Sequence, residues 1–274
     1  MKFITFSRQL GTHGHTIAMR VADKLGYKFH DTESIGHAAR EMGFLDSVAQ
    51  IDEKRPSFFQ RFFTHRPTVN LERLNSVIYQ LANHGDGVFL GRGGQILLKS
   101  FSCALHVRII ASREKRIQNL IKRGYSKETA SKAIEESDHE RAAFIKFAFG
   151  LDWEDPNLYD MVLNIDKLSV NLAVDTVVTI ARSDEINACS LDSMETLAKL
   201  ALASRSEAAI VESGLSYGQS TAINVSVDAP GKVTLTGVVE NEKGRIRAEG
   251  VIRAVKGVEA VDNQIRVSPG DRHA

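Results

Sequence analysis

The stretch "FITFSRQLGTHGHTIAMRVADKLGY", residues 3–27, decides the fold. Phe3, Ile4 and Phe6 open a short apolar strand. Ser7 to Gly14 form a polar, glycine-bearing turn, and from there Ile17, Val21 and Leu25 recur at helical spacing until Gly26 closes the helix. Strand, glycine turn and helix make the local architecture of a phosphate-binding loop, because the helix start presents unpaired N–H groups with the positive end of its dipole behind them. Against the pattern G-x-x-x-x-G-K-[ST], the last three positions fall on Gly14, His15 and Thr16, so an imidazole stands where lysine is expected. Gly11 and Gly14 let backbone approach an anion, Thr16 is placed to offer a hydroxyl to a nucleotide-bound magnesium ion, and Arg8 and His15 are the local cations. Taken alone, the stretch fits equally well a turn that only carries the chain from sheet to helix.

Working outward, short apolar runs alternate with helical stretches as far as Ala181. "GVFLGRGG" predicts a strand entering a glycine turn, "ALHVRIIAS" a β-branched strand, "REKRIQNLIKRG" a basic amphipathic helix, and "YDMVLNI" a strand before the helix "SVNLAVDTVVTIAR". Such alternation implies parallel crossovers and an α/β sandwich. From Ser183 the texture changes to a helix, a hairpin turning at Pro230-Gly231, a helix and a last strand, the order of a small α+β unit. This part carries ten basic against thirteen acidic side chains, whereas the residues before it carry 25 against 21. The expected domains are therefore residues 1–182 and 193–268, with a linker at 183–192 and a tail at 269–274.

A chain of 274 residues with 43% hydrophobic side chains can bury a sizeable core, and a net charge of +1 gives no whole-chain field for nucleic acid or an anionic membrane. Cys103 and Cys189 lie far apart without a C-x-x-C partner and read as buried free thiols. The opening "MKFITFSRQLG" is too short for a signal-peptide core, and no run approaches the ~20 apolar residues that cross a bilayer, so a cytoplasmic location is expected.

Arg92 stands at the C-terminal end of a predicted strand, the edge where open α/β sheets bind ligands, and can clamp a phosphate through two nitrogens. Arg113, Arg116 and Arg123 follow on the basic helix, with Asp138 and Arg141 beyond it in "SDHERAAF". Each arginine by itself reads as a solvated surface residue; their convergence with a glycine loop favours an anion site. Metal binding by His13 and His15 would need further ligands that the sequence does not identify. "FFQRFF", residues 58–63, and Trp153 read as packing residues.

The separated motifs "SRQLGTHGHTIAMRVADKLGYKFHDTESI", "GVFLGRGGQILL", "LHVRIIASREKRIQNLIKRGYSKETASKAIEESDHERAAFIKFAFG" and "WEDPNLYDMVLNIDKLSVNLAVDTV" resemble the cytidylate kinase-like family of P-loop proteins over residues 1–181. The resemblance implies a P-loop NTPase-type parallel sheet with flanking helices. It further implies ATP with magnesium as donor and a nucleoside monophosphate such as CMP as acceptor. Gly11, Thr12, His13, Gly14, His15 and Thr16 would hold the donor phosphates, and Asp31 and Arg92 would serve the acceptor. Arg113, Arg123, Asp138 and Arg141 would belong to a mobile lid, and Arg8, His15 and Arg141 would neutralise charge during phosphoryl transfer. Two positions depart from cytidylate kinases proper: His15 replaces the loop lysine, and Gly93 follows Arg92 where those enzymes usually carry aspartate. "INVSVDAPGKVTLTGVVEN" and "AEGVIRAVKGVEAVDNQIRV" resemble the BON domain, which implies binding of a lipid, a small ligand or a protein partner. Self-association is also open, and nucleic acid is not expected. Two functions remain: a nucleotide kinase, or a nucleotide-binding regulator with little turnover.

Overall fold

The computed structural model describes residues 1–42, 67–186, 188–215 and 222–268; the aromatic run 58–63 and the tail 269–274 lie outside them. In chain order the elements are β1 (Phe3–Arg8), α1 (Gly14–Leu25), β2 (Lys28–His30), α2 (Thr32–Glu41), α3 (Pro67–Asn83), β3 (Gly87–Leu90), α4 (Gly94–Leu97), β4 (Ala104–Ile110), α5 (Arg113–Ile121) and α6 (Lys127–Phe149). A 3-10 turn (Pro156–Leu158), β5 (Met161–Asn164), α7 (Val170–Ala181), α8 (Leu191–Glu212), β6 (Ala222–Ala229), β7 (Lys232–Val239), α9 (Glu242–Arg253), β8 (Ala260–Asn263) and β9 (Arg266–Val267) complete the chain. Two compact units emerge, and they do not follow sequence order. Among the described residues the first takes 1–37 and those from 84 to 190, and the second takes 38–42, 67–83 and those from 191 onward.

The first unit is a five-stranded sheet of order β2-β3-β1-β4-β5, with every neighbouring pair parallel. Its inner strands β1, β3 and β4 are covered on both faces, so Phe3 to Ser7 are all buried, whereas the edge strands β2 and β5 are partly exposed. Ile17 and Val21 of α1, with Val174 and Val177 of α7, pack with Ile4, Phe6, Val88, Leu90 and Val107 of the sheet into one core. The connection leaving β1 runs to β2 on one side, whereas the connection leaving β3 crosses β1 to reach β4 on the other. The crevice between the C-terminal ends of β1 and β3 is therefore the sheet's topological switch point.

The two cysteines are not free thiols. Cys103, just before β4, and Cys189, after α7, form a disulfide with Cα atoms 4.9 Å apart. The N-terminal edge of the sheet brings them together: Phe3 N donates to Cys103 O at 2.9 Å, and Cys189 N donates to Met1 O at 2.7 Å. Sequence separation hides such a pairing, since the two lie 86 positions apart along the chain.

In the second unit β6 and β7 form an antiparallel hairpin, and β8 and β9 both lie parallel to β7. Gly237, at φ 120°, permits the hairpin's closest approach, since a Cβ there would lie 1.9 Å from Ala222 O. Val233, Leu235, Val239, Ala248, Ile252 and Ile265 make the core with Leu202 and Ile210 of α8. Helix α3 belongs here through α8: Ser76 Oγ donates to Ala201 O at 3.0 Å, and Arg73 pairs with Glu212. Between these helices Glu72 and Glu207 share a hydrogen bond. Desolvation raises both carboxyl groups above their usual range, and the adjacent Glu72 charge helps to push Glu207 to about 7.

Candidate functional site

The residues between β1 and α1 are fixed by their carbonyl groups. Arg116 Nε donates to Leu10 O at 2.7 Å, Asn119 Nδ2 donates to Gly11 O at 2.8 Å, and Thr12 Oγ1 donates to Gln9 O at 2.7 Å. With the carbonyls engaged by α5, the N–H groups of Leu10 to Thr16 have no acceptor among the described residues. Helices α5, α6, α7 and α9 begin with side-chain caps from Ser112, Ser126, Ser169 and Asn241, but α1 begins at His13 (φ 57°) without one. Consecutive unpaired N–H groups at a helix start, with Gly11 at φ 85° and His13 left-handed, make a concave nest that suits an anion.

Both loop glycines are sterically required. A Cβ at Gly14 would lie 2.5 Å from Arg8 Cβ, and one at Gly11 would lie 2.8 Å from Arg116 O. The half-buried Thr16 sits in the first turn of the helix. The exposed His15 side chain places Nε2 3.6 Å from Asp31 Oδ2 and meets Phe29 edge-on with ring centroids 5.4 Å apart. Asp31 also caps α2, its Oδ1 accepting from Glu33 N and Ser34 N at 3.1 Å each.

At the switch point lies a cleft, lined from β1 by Ser7 and Arg8, from the β3 turn by Gly91, Arg92 and Gly93, from α4 by Gln95, and from α6 by Ser137, Glu140, Arg141, Phe144 and Ile145, with Trp153 beyond. Arg92 is 7% exposed, holds φ 59°, and donates to Thr32 Oγ1 at 3.2 Å. Such a backbone is costly for a non-glycine residue and recurs at functional positions. Gly93, where an aspartate was the point of comparison, is filled from outside: a Cβ would lie 2.4 Å from the Phe149 ring.

The structure brings Arg8, Arg92 and Arg141 to one cleft and separates the other lid candidates from it. Arg141 donates to Ser137 Oγ on its own helix. Asp138 is gripped by Arg116, while Arg113 bonds Ser131 and Glu135 and Arg123 is exposed at the end of α5. Gln95, Glu140, Phe144 and Trp153 were missed as lining residues; only the tryptophan carried a signal, in "LDWEDP". Trp153 is held firmly. Its Nε1 donates to Ser7 Oγ at 2.8 Å, its carbonyl accepts from Arg108 and from Tyr159 Oη, and the Arg108 guanidinium lies 4.5 Å from its ring. Burial raises the Tyr159 hydroxyl above its ordinary range, against the lowering pull of Ser7 and Arg108, keeping it a donor.

Residues 3–167 match the profile of the cytidylate kinase-like family, and the chain belongs to that family. Residues 200–269 match the BON domain. No curated protein matches the chain. Among solved structures, an uncharacterized protein from Eubacterium ventriosum is similar at 20% identity and TM-score 0.54, covering 66% of this chain and 97% of its own. Shikimate kinase from Bacteroides thetaiotaomicron aligns at 13% identity and TM-score 0.43, over 66% of this chain and 99% of the enzyme. Deoxyadenosine kinase from M. mycoides aligns at 14% identity and TM-score 0.38, over 66% and 100%.

Proposed function

We propose that residues 1–182 catalyse ATP-dependent phosphoryl transfer to a nucleoside monophosphate, CMP-like in class. The observation that carries this reading is the unpaired N–H nest of Leu10 to Thr16 beside a cleft with three arginines at one switch point. Phosphoryl transfer needs positioning and charge neutralisation more than covalent chemistry. In this reading Gly11 to Thr16 hold the donor phosphates, Arg92 and Asp31 serve the acceptor side, and Arg8, His15 and Arg141 face developing charge. Arg113, Arg123 and Asp138 support the helices α5 and α6 rather than touching substrate. No group of three His, Cys, Asp or Glu among the described residues could cage a metal. The Thr16 hydroxyl has no hydrogen bond there and suits a magnesium ion that arrives on nucleotide phosphates, where the ion would offset their charge. Residues 193–268 act as a binding module for a lipid, small ligand or protein.

No described helix is long and apolar enough to cross a membrane. A cytoplasmic location belongs to the proposal, because ATP and nucleoside monophosphates are abundant there. The test is ADP release by the purified protein with ATP, magnesium and each nucleoside monophosphate in turn; acceptor-dependent release supports the reading, and none with any acceptor rejects it.

A second reading, a nucleotide-binding regulator with little turnover, is favoured by one observation: the side chain at the loop-lysine position, His15, is an imidazole lying beside Asp31 and Phe29. Here His15→Lys decides. A weak kinase should gain about tenfold in rate from the added charge, whereas a pure regulator should bind ATP and stay inactive in both forms.

A further inference from the structure

We infer that Gln95 determines the specificity of the cleft, its carboxamide pairing with the edge of a planar nitrogen heterocycle, a nucleobase, on the acceptor. This rests on the reading of the cleft as an acceptor site. Gln95 is 2% exposed, lines the cleft from the first turn after β3, and its side chain has no hydrogen-bond partner among the described residues. The polar atoms of its amide stay open to the cleft, so a ligand there, rather than another part of the protein, is what can pair with them.

The chemistry of the lining says what that ligand offers. Arg8, Arg92 and Arg141 are donors only and suit the anionic end of an acceptor. Gln95 differs in kind, presenting a donor and an acceptor side by side in one plane. That pattern matches a ring edge with an exocyclic amine or carbonyl next to a ring nitrogen, as every nucleobase carries, whereas the scattered hydroxyls of a sugar or polyol do not lie in such a plane. The same cleft includes the indole of Trp153, 3% exposed and fixed by Ser7 and Arg108, a rigid aromatic surface of the kind that bases pack against. Gly93 adds no side chain, because the Phe149 ring occupies the space one would need. The Ser7 and Ser137 hydroxyls of the lining already accept from Trp153 and Arg141, which leaves the Gln95 amide as the uncharged group able to read a ring edge.

The experiment is calorimetric titration of the full chain with CMP, UMP, AMP, GMP and ribose 5-phosphate, in wild type, Gln95→Leu and Gln95→Glu. We expect wild type to bind one nucleotide at least about tenfold more tightly than ribose 5-phosphate. Gln95→Leu should lose about tenfold for that nucleotide, the size of one hydrogen bond at a site left unpaired, and keep its affinity for ribose 5-phosphate. Gln95→Glu, nearly isosteric, carries the test if the leucine variant does not fold; replacing a donor by an acceptor should change the rank order of the bases. An equal loss for all five ligands, or none, together with an unchanged order in Gln95→Glu, overturns the assignment to Gln95 while leaving the nucleotide reading standing. Wild type that binds ATP but prefers no nucleotide over ribose 5-phosphate overturns both.

Discussion

Arg116 grips Asp138 through two parallel hydrogen bonds, Nη1 to Oδ2 at 2.7 Å and Nη2 to Oδ1 at 2.8 Å, while its Nε holds Leu10 O. One guanidinium, 4% exposed, thereby joins α5, α6 and the loop before α1. Removing one member of a buried pair leaves the other charge uncompensated, at about 3 kcal/mol. Arg116→Leu should therefore lower stability by about that amount in denaturant unfolding and weaken ATP binding, because Leu10 is released. Asp138→Asn, which is isosteric but sets an amide NH2 against one Arg116 N–H and leaves the buried guanidinium uncompensated, should cost a similar amount while Nε still holds Leu10. Equal, small losses in both variants would show that the clamp contributes little.

Gly14 tests the nest directly. Its missing Cβ would lie 2.5 Å from Arg8 Cβ and 2.9 Å from Arg8 Cγ, so a side chain there must push Arg8 aside and cover the unpaired N–H groups. Gly14→Val is expected to destabilise the protein by about 1–3 kcal/mol through overpacking and to abolish measurable ATP binding while circular dichroism stays native. Unchanged ATP affinity in the folded variant would move the donor site elsewhere.

The Glu72–Glu207 pair gives a pH dependence whose sign is opposite to that of an ordinary ion-paired carboxylate. Desolvation raises Glu207 to about 7, so the folded state holds its proton more tightly than the unfolded chain. Its contribution is complete below the usual carboxylate range and is lost as pH rises through about 7. His30 works the other way, since burial lowers it to about 4 and its contribution is lost on acidification. Comparing wild type with Glu207→Gln at pH 5 and pH 8 cancels His30. The wild type should lose several degrees more of Tm between them, about 1 kcal/mol after allowance for partial exposure of the pair. Parallel curves would count against the pair.

Reduction should loosen the first unit. The Cys103–Cys189 bridge closes a loop across 86 residues, which in the chain-entropy account is worth about 4 kcal/mol. Dithiothreitol, or Cys103→Ser, is expected to lower Tm in thermal unfolding, with no effect of dithiothreitol on the serine variant. Identical Tm with and without reductant in the wild type would show that the thiols are not bridged in solution.

How much of this was legible in the sequence depends on the range of the interactions. The strand, turn and helix of residues 3–27 could be read directly, because apolar spacing and glycine placement are local properties of the chain. The hairpin turning at Pro230-Gly231 and the helices of residues 191–212 and 242–253 were legible for the same reason. Arg92 could be read from its place at the end of a strand and Arg141 from "SDHERAAF", and the two do share a cleft with Arg8. Three things required the tertiary structure. Helix α3, which precedes β3 in sequence, packs with α8 more than a hundred residues later, and Cys103 meets Cys189 at the sheet's edge. The third is that Arg116, an apparent surface cation on a basic helix, is the buried clamp of the loop, while Gln95, in an unremarkable "GGQIL", faces the cleft. Periodicity reports which face of an element is buried, but what that face meets is decided by crossovers between distant segments. A buried arginine or glutamine is chemically the same letter as an exposed one until its neighbours arrive.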